Sequence, residues 1–456
     1  MNVFNLLNGV EIALQGPKFD VYLNWIGKII RFLITGVGSV GIGIILFSVI
    51  LKVIVLPFDV YQRIAMRKQN IKMKENQAKM EKLQKQYAND KDLYNQKVME
   101  MYRESGFSMF SSCLPLILSM VIFIVAINAF NAYAQYANVE NYNMMVDAYN
   151  AKITSYAPDL ESDTLDISND GTVIYVKDTA EDSYMYYTVS YIENSDNAYI
   201  SSAEKTYYID SEKALSNEEI KAYYDAQIEA NADMSEGDAL KAYFYEQAQE
   251  AVKTAYETDV IYNTKFLWIK NIWVTDASYK HPVLEYKDFE AEIKREKFNV
   301  GGEKTELAEL NTNVYSADTY NHITEKLDKQ KDTANGYFIL IVLSIGTILL
   351  QQFVSMRSQK EQQKYSSVDG QGASQQKMML VIMTVMFAIF SFMYSSAFSI
   401  YMIMSNVLSL LSTIVINFFV DKKANKKEAE AEYKKYSGRA ARTAGLQSGS
   451  EKNKKK

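Results

Sequence analysis

Lys52 is the residue around which the chemistry of this sequence turns. It interrupts an otherwise apolar run, Ile44-Ile45-Leu46-Phe47-Ser48-Val49-Ile50-Leu51-Lys52-Val53-Ile54-Val55-Leu56-Pro57. Hydrocarbon disfavours an isolated ammonium by on the order of 3 kcal/mol on insertion scales. Such a cation must face protein or water, or stretch its methylene stem toward the interface near Pro57; both readings stand at this level. Ser48 lies one turn earlier on the same helical face. A serine and a lysine at that spacing also form the pair that activates a nucleophile in Ser-Lys hydrolases. No oxyanion-hole donor accompanies them and the run is unbroken there, so hydrolysis is the weaker reading.

Other polar side chains punctuate apolar segments: Ser119, Asn128 and Asn131 in one, Tyr401, Ser405 and Asn406 in another. Scattered Ser and Asn usually serve as hydrogen-bond partners between membrane helices, but beside a membrane lysine they could line a polar path. The single cysteine, Cys113, allows neither an intrachain disulfide nor a cysteine-based zinc site. His281 and His322 stand far apart with no ligand spacing around them. With no nucleotide motif either, no cofactor and no metal are expected, and no enzymatic activity. The cations Lys422, Lys423, Lys426, Lys427, Lys434 and Lys435 crowd the C-terminal tail. They suit anionic lipid headgroups or the phosphates of ribosomal RNA.

The elements that must position these residues are membrane helices. A hydrocarbon core of about 30 Å needs roughly 20 helical residues. Five stretches come near that length: 35–58, 112–133, 337–354, 378–394 and 399–420. Ser395, Ser396 and Ala397 lie between the last two, which could also be one broken span; five is the expected count. The start of the chain lacks the order of a cleavable signal peptide, so the first span is expected to act as its own insertion signal.

Charge gives an orientation. Residues 131–335 carry 18 Lys/Arg against 39 Asp/Glu, whereas the whole 456-residue chain has a formal net charge of only −6. The compensating basic excess sits in 59–111, 355–377 and 421–456. Basic residues beside spans resist translocation. One topology satisfies every loop: a multi-pass membrane protein, N-terminus outside and C-terminus in the cytoplasm.

Residues 1–34 then form an outside N-terminus. Tyr22, Leu23, Trp25, Ile26, Ile29, Ile30, Phe32 and Leu33 make the apolar face of an interfacial helix, and Asn24, Lys28 and Arg31 the polar one. Residues 59–111 read as a cytoplasmic helical hairpin. Met66, Met73, Met80 and Tyr87 recur at heptad spacing, Asn89-Asp90-Lys91-Asp92 turns the chain, and Gln69 and Asn76 weaken the seam. Residues 134–265 read as an inserted α+β module. Its turn is Asn169-Asp170-Gly171, its strands Thr172–Val176, Tyr184–Val189 and Thr206–Ile209. A capping box at Ser216 and Glu219 opens a helical run through Thr254. Its many carboxylates read as a solvated surface, with no catalytic constellation. Residues 266–336 connect it to the third span, on the outside or at the interface.

Several of these segments together resemble the YidC/Oxa-type membrane protein insertases. Ile44–Pro57 is similar to the family's first core span. Arg67-Lys68 to Val98-Met99-Glu100-Met101-Tyr102-Arg103 is similar to its cytoplasmic helical pair, and Ser112-Cys113-Leu114-Pro115-Leu116 to its Gly-Cys-Leu-Pro-Leu signature. Phe266-Leu267-Trp268-Ile269 matches its Phe-Leu-Trp motif, and Tyr394 to Met404-Ser405-Asn406 its last two spans. The chain departs from the family at Lys52, where arginine is usual, at Ser111 and Ser112 (glycines), at Ser395, Ser396 and Ala397 (Pro-Ser-Gly), and in carrying its insert at 134–265. The resemblance implies an all-α membrane bundle of five transmembrane helices with a cytoplasmic helical hairpin, plus a small α+β extracellular inserted module. It implies a hydrophilic groove, lined by Lys52, Ser48, Ser119 and Tyr401, through which client transmembrane segments pass from the cytoplasm into the bilayer. Partners would be client membrane proteins, lipid, the Sec translocon and, through the basic tail, the ribosome, with one copy sufficing. The alternative is a membrane-anchored receptor or adhesion protein that uses the acidic module.

Overall fold

Apolar and polar segments of this chain fold into different elements, and a computed structural model describes them over residues 9–104, 109–157, 165–167, 173–175, 183–189, 205–358 and 371–419. The main helices are α1 (Trp25–Val37), α2 (Val40–Gln86), α3 (Lys91–Glu104), α4 (Met109–Thr154), α5 (Ser211–Ser216), α6 (Glu218–Ala230), α7 (Glu236–Ala255), α8 (Tyr286–Ile293), α9 (Ala317–Ile323), α10 (Ile339–Ser358), α11 (Gln371–Met393) and α12 (Ser396–Phe419). The strands are β1 (Val10–Ile12), β2 (Asp20–Val21), β3 (Leu165–Ile167), β4 (Val173–Tyr175), β5 (Met185–Val189), β6 (Lys205–Ile209), β7 (Lys297–Val300) and β8 (Glu303–Glu306). They divide into a module, Met1–Ile29 with Asn131–Tyr337, and a helical unit, Ile30–Phe130 with Phe338–Lys456.

In the helical unit, three helices among the described residues are long and apolar enough to cross a membrane: Val40–Ala65, Ile339–Arg357 and Ser396–Phe419. Val381–Met393 is a shorter apolar helix. The expected span 112–133 lies within α4, whose side chains before Val121 fall outside the described residues. Helix α2 continues beyond its apolar half into a polar one and stops at Tyr87, whose N–H reaches the Leu83 carbonyl. Asp90 caps the return helix α3 by accepting from the Leu93 N–H at 2.9 Å. Met80 and Met101 are buried in this hairpin, and so is Asn76. The side chains of Met66, Gln69 and Met73 lie outside the described residues.

Polar pairs join the apolar helices. Ser344 of α10 and Ser391 of α11 meet at 2.9 Å, and the Thr384 hydroxyl donates to Gln352 Oε1 at 2.9 Å. These pairs run in opposite directions along the two helices, which are therefore antiparallel. Asn406 of α12 donates to Thr347 Oγ1 at 3.5 Å. In hydrocarbon such bonds replace water that cannot be there.

The module contains two antiparallel sheets, ordered β1-β6-β5-β4-β3 and β2-β7-β8. Strands β4, β5 and β6 fall where alternation and Tyr content place them. The Asn169-Asp170-Gly171 turn lies outside the described residues. Two strands come from the N-terminus: Val10, Glu11 and Ile12 pair with Ile209, Tyr208 and Tyr207, and Asp20 and Val21 with Asn299 and Phe298. The module thus extends past 134–265 to take in the N-terminal residues and 266–336. Because β2 holds the chain as far as Tyr22, whose N–H bonds the Lys297 carbonyl, α1 starts only at Trp25, with Asn24 accepting from the Gly27 N–H.

The cap predicted at Ser216 is displaced by one residue. Ser216 still belongs to α5 and turns its hydroxyl back to the Lys213 carbonyl, so Asn217 accepts from the Glu219 and Ile220 N–H groups instead. The helical run toward Thr254 is broken after Ala230 and recapped by Ser235. The core is aromatic: Phe289 stacks on Tyr320 with ring centroids 4.4 Å apart, and Tyr142 packs 4.9 Å from Phe289. Buried tyrosines need partners for their hydroxyls. Tyr142 donates to the Val314 carbonyl and Tyr320 to the Leu284 carbonyl, each at 2.7 Å.

Candidate functional site

The site begins with the periodicity of α2. Ile50, Val53, Ile54, Leu56, Phe58 and Tyr61 are its exposed large side chains around the lysine, and at about 100° per residue all of them but Leu56 form one outward stripe. Ser48, Lys52 and Asp59 project from the opposite side, within about 40° of one another. Apolar residues thus face outward while the ionic ones face the neighbouring helices.

The Lys52 Nζ lies 2.6 Å from Asp59 Oδ2 and donates to Ser409 Oγ of α12 at 3.0 Å. Seven residues separate lysine and aspartate along the helix, a rise of about 10 Å. The lysine stem must therefore extend toward the C-terminal end, while the Asp59 Cβ leans back toward it. Pro57 sits between them inside the helix; it supplies no N–H and so leaves the Val53 carbonyl without its helical donor. The Lys52 side chain is 15% exposed and that of Asp59 27%. The cation is thus neither bare in hydrocarbon nor free in water.

Ser48 is buried, and its hydroxyl donates to the Ile44 carbonyl at 2.8 Å. Tyr401 is buried among rings, 5.2 Å from Phe130 and 6.0 Å from Phe398. Phe47 packs edge-on to Phe130 at 5.5 Å, and Phe123 lies 5.9 Å from Phe398. These rings make an aromatic layer about two helical turns from Ser409 along α12. Lys52 and Ser48 thus share one face of α2, Tyr401 belongs to the ring layer, and the structure brings Ser409 to the lysine. The Ser119 side chain and Lys422, Lys423, Lys426, Lys427, Lys434 and Lys435 lie outside the described residues.

Sequence reasoning passed over Asp59 and Ser409. The aspartate carried a usable signal, its place two turns from Lys52 on the same face. Ser409 carried none, being one of several hydroxyls in an apolar helix.

The module holds other titratable groups. Glu292 packs inside it, accepting from Asn138 Nδ2 at 3.2 and 3.0 Å, and burial pushes its carboxyl up to about 8. Burial raises Glu296 to about 7. His322 bonds the Tyr149 hydroxyl at 2.9 Å, and burial lowers its pKa; His281 bonds the Thr333 carbonyl at 3.0 Å. Among the described residues no cluster of three or more His, Cys, Asp or Glu could hold a metal ion.

Comparison with known proteins gives this geometry a context. The family described as "60Kd inner membrane protein" matches residues 32–188 and 245–424, well over half of the chain. Relatives that carry the name "Membrane protein insertase YidC" include three from different bacteria. That of Caldanaerobacter subterraneus subsp. tengcongensis is 35% identical over 98 residues, 22% of this chain and 46% of its own. That of Fusobacterium nucleatum subsp. nucleatum is 38% identical over 86 residues, 19% of this chain and 40% of its own. The Clostridium tetani protein is 36% identical over 100 residues, 22% of this chain and 44% of its own. The matches span less than half the length of these relatives. No solved structure matches the chain.

Proposed function

We propose a function that proceeds from one premise: the chain belongs to the 60Kd inner membrane protein family, that of the YidC/Oxa1 insertases. It guides transmembrane segments of client proteins from the cytoplasm into the lipid bilayer. The observation that carries this reading is a cation on a span-forming helix, turned away from that helix's apolar stripe and held against α12. A charge so placed keeps water and polar groups inside the membrane and shortens the hydrocarbon that a client's hydrophilic end must cross.

In this reading five spans, 35–58, 112–133, 337–354, 378–394 and 399–420, surround a groove open to the cytoplasm. Lys52, Ser48, Ser119 and Tyr401 contribute to it, and the aromatic layer around Phe130 closes the end away from Ser409. The polar tail of a client enters near Lys52 while its apolar segment slides into lipid along the exposed faces. The module lies outside the cell, and the hairpin of α2 and α3 with the basic tail lies in the cytoplasm. There the tail lysines contact ribosomal RNA or anionic lipid, and the Sec translocon is a candidate neighbour. One copy suffices, because the groove is built within one chain.

Lysine serves here as a point charge where arginine would add a bidentate fork. Lys52→Arg is therefore expected to sustain growth in a strain depleted of its own insertase. Lys52→Ala should lose insertion of clients with acidic N-terminal tails about tenfold or more. Full complementation by Lys52→Ala would remove the charge from the mechanism.

A further inference from the structure

Every insertase reading of Lys52 needs its charge to act on something, and at rest that charge is already met. Asp59 stands 2.6 Å from the ammonium, on the same face of the same helix, and the remaining described contact is the neutral hydroxyl of Ser409. An ammonium has three donors, so one direction is left for an incoming acceptor. We propose that Asp59 is the resting counter-ion of Lys52, and that an acidic client tail binds by taking its place, which makes the aspartate the residue that sets selectivity for acidic over neutral tails. This rests on the insertase function above and assigns a specificity determinant within it.

Three features support exchange over a purely structural pair. A lone ammonium among apolar helices is strongly disfavoured, so an anion beside it stabilises a site that waits empty between clients. Replacing one carboxylate by another keeps the cation paired throughout, which a neutral Asn- or Gln-bearing tail cannot do. The two partners are also unequally enclosed: Asp59 is the more exposed, 27% against 15%, and lies beyond Pro57. The helix is missing a backbone bond at that proline and can bend there. The aspartate is therefore the partner with more room to swing aside, one residue past the proposed end of the span at 58, whereas Lys52 stays in place.

Competition for one cation has a directional consequence. Removing the internal anion should strengthen capture of acidic tails and leave neutral ones little changed. A pair that merely braces α2 would instead weaken both, or affect only stability.

The test uses the purified full-length protein in vesicles and two clients that differ only in the tail, one carrying Asp and Glu and its twin Asn and Gln. A photo-crosslinker is placed in each client tail. With Asp59→Asn, captured acidic tail is expected to rise several-fold while the neutral twin stays within twofold. With Lys52→Ala the preference should disappear, and Lys52→Ala/Asp59→Asn should likewise show none. Acidic capture in Asp59→Asn equal to or below that of the parent protein overturns the proposal. Should Asp59→Asn fail to accumulate, the same ratio is read with Asp59→Ser; if neither accumulates, the pair is required for folding and the proposal falls. The two levels separate cleanly: a parent protein that inserts neither client sinks the insertase function, whereas one that inserts both, with capture indifferent to Asp59, sinks only the counter-ion role.

Discussion

Glu292 shows how a single residue in the module responds to its surroundings. Its carboxyl, raised to about 8 by burial and lowered in part by the Asn138 amide, is protonated in the folded module at neutral pH. In the unfolded chain the same group ionises near 4.5. Between those values the unfolded state binds fewer protons than the folded one, so stability falls as pH rises from about 5 to about 8. Glu296, raised to about 7, adds to the same slope. Trp268 and Trp273 lie within the module, so with Trp25 of α1 replaced by phenylalanine the tryptophan fluorescence reports on it. Glu292→Gln keeps the shape without the charge, and it is expected to raise the module's melting temperature at pH 8 by several degrees while changing little at pH 5. An unchanged pH slope in that variant would show that Glu292 does not set it. At this scale Lys52 was legible from its apolar neighbours, whereas the protonation of Glu292 was not. An aspartate or glutamate in an acidic segment looks solvated until the fold surrounds it.

Elements differ in how clearly they announce themselves. The hairpin of α2 and α3 is readable from heptad methionines and a polar turn, since helical periodicity is a local property. Strands β1 and β2 are three and two residues long, too short for alternation to register. They become strands because β6 and β7 offer them open edges, which also satisfy their backbone groups. Ile12, nearly fully buried, anchors β1. Replacing it with alanine should cost roughly 2–5 kcal/mol and lower the module's thermal midpoint, as followed by tryptophan fluorescence. If the midpoint does not move, β1 is an accessory to the sheet. The cap at Asn217 in place of Ser216 has a similar origin: the preceding helix α5 claims the serine first.

For the whole molecule, the governing asymmetry is charge. The acidic residues concentrate between 131 and 335, and the basic ones flank the apolar helices elsewhere. By the positive-inside tendency, the topology proposed for this chain has the module outside and the hairpin inside. Because Cys113 is the only cysteine, Cys113→Ser gives a background in which single cysteines can be placed at Glu229 of the module and Lys85 of the hairpin. A membrane-impermeant maleimide should label position 229 in intact cells and position 85 only after permeabilisation. Labelling of both without permeabilisation, or the reverse order, would overturn the orientation.

Composition and periodicity, both local along the chain, were enough to determine that apolar helices alternate with a basic hairpin and an acidic α+β region, and that a lysine lies inside one of those helices. Family motifs were legible for the same reason, being short and contiguous. Tertiary structure alone decided that the N-terminal strands join the module. It also decided that Lys52 meets Ser409, 357 residues away in sequence. No local pattern encodes which of many hydroxyls a folded bundle will bring to a cation; only the packing of helices against one another fixes that choice.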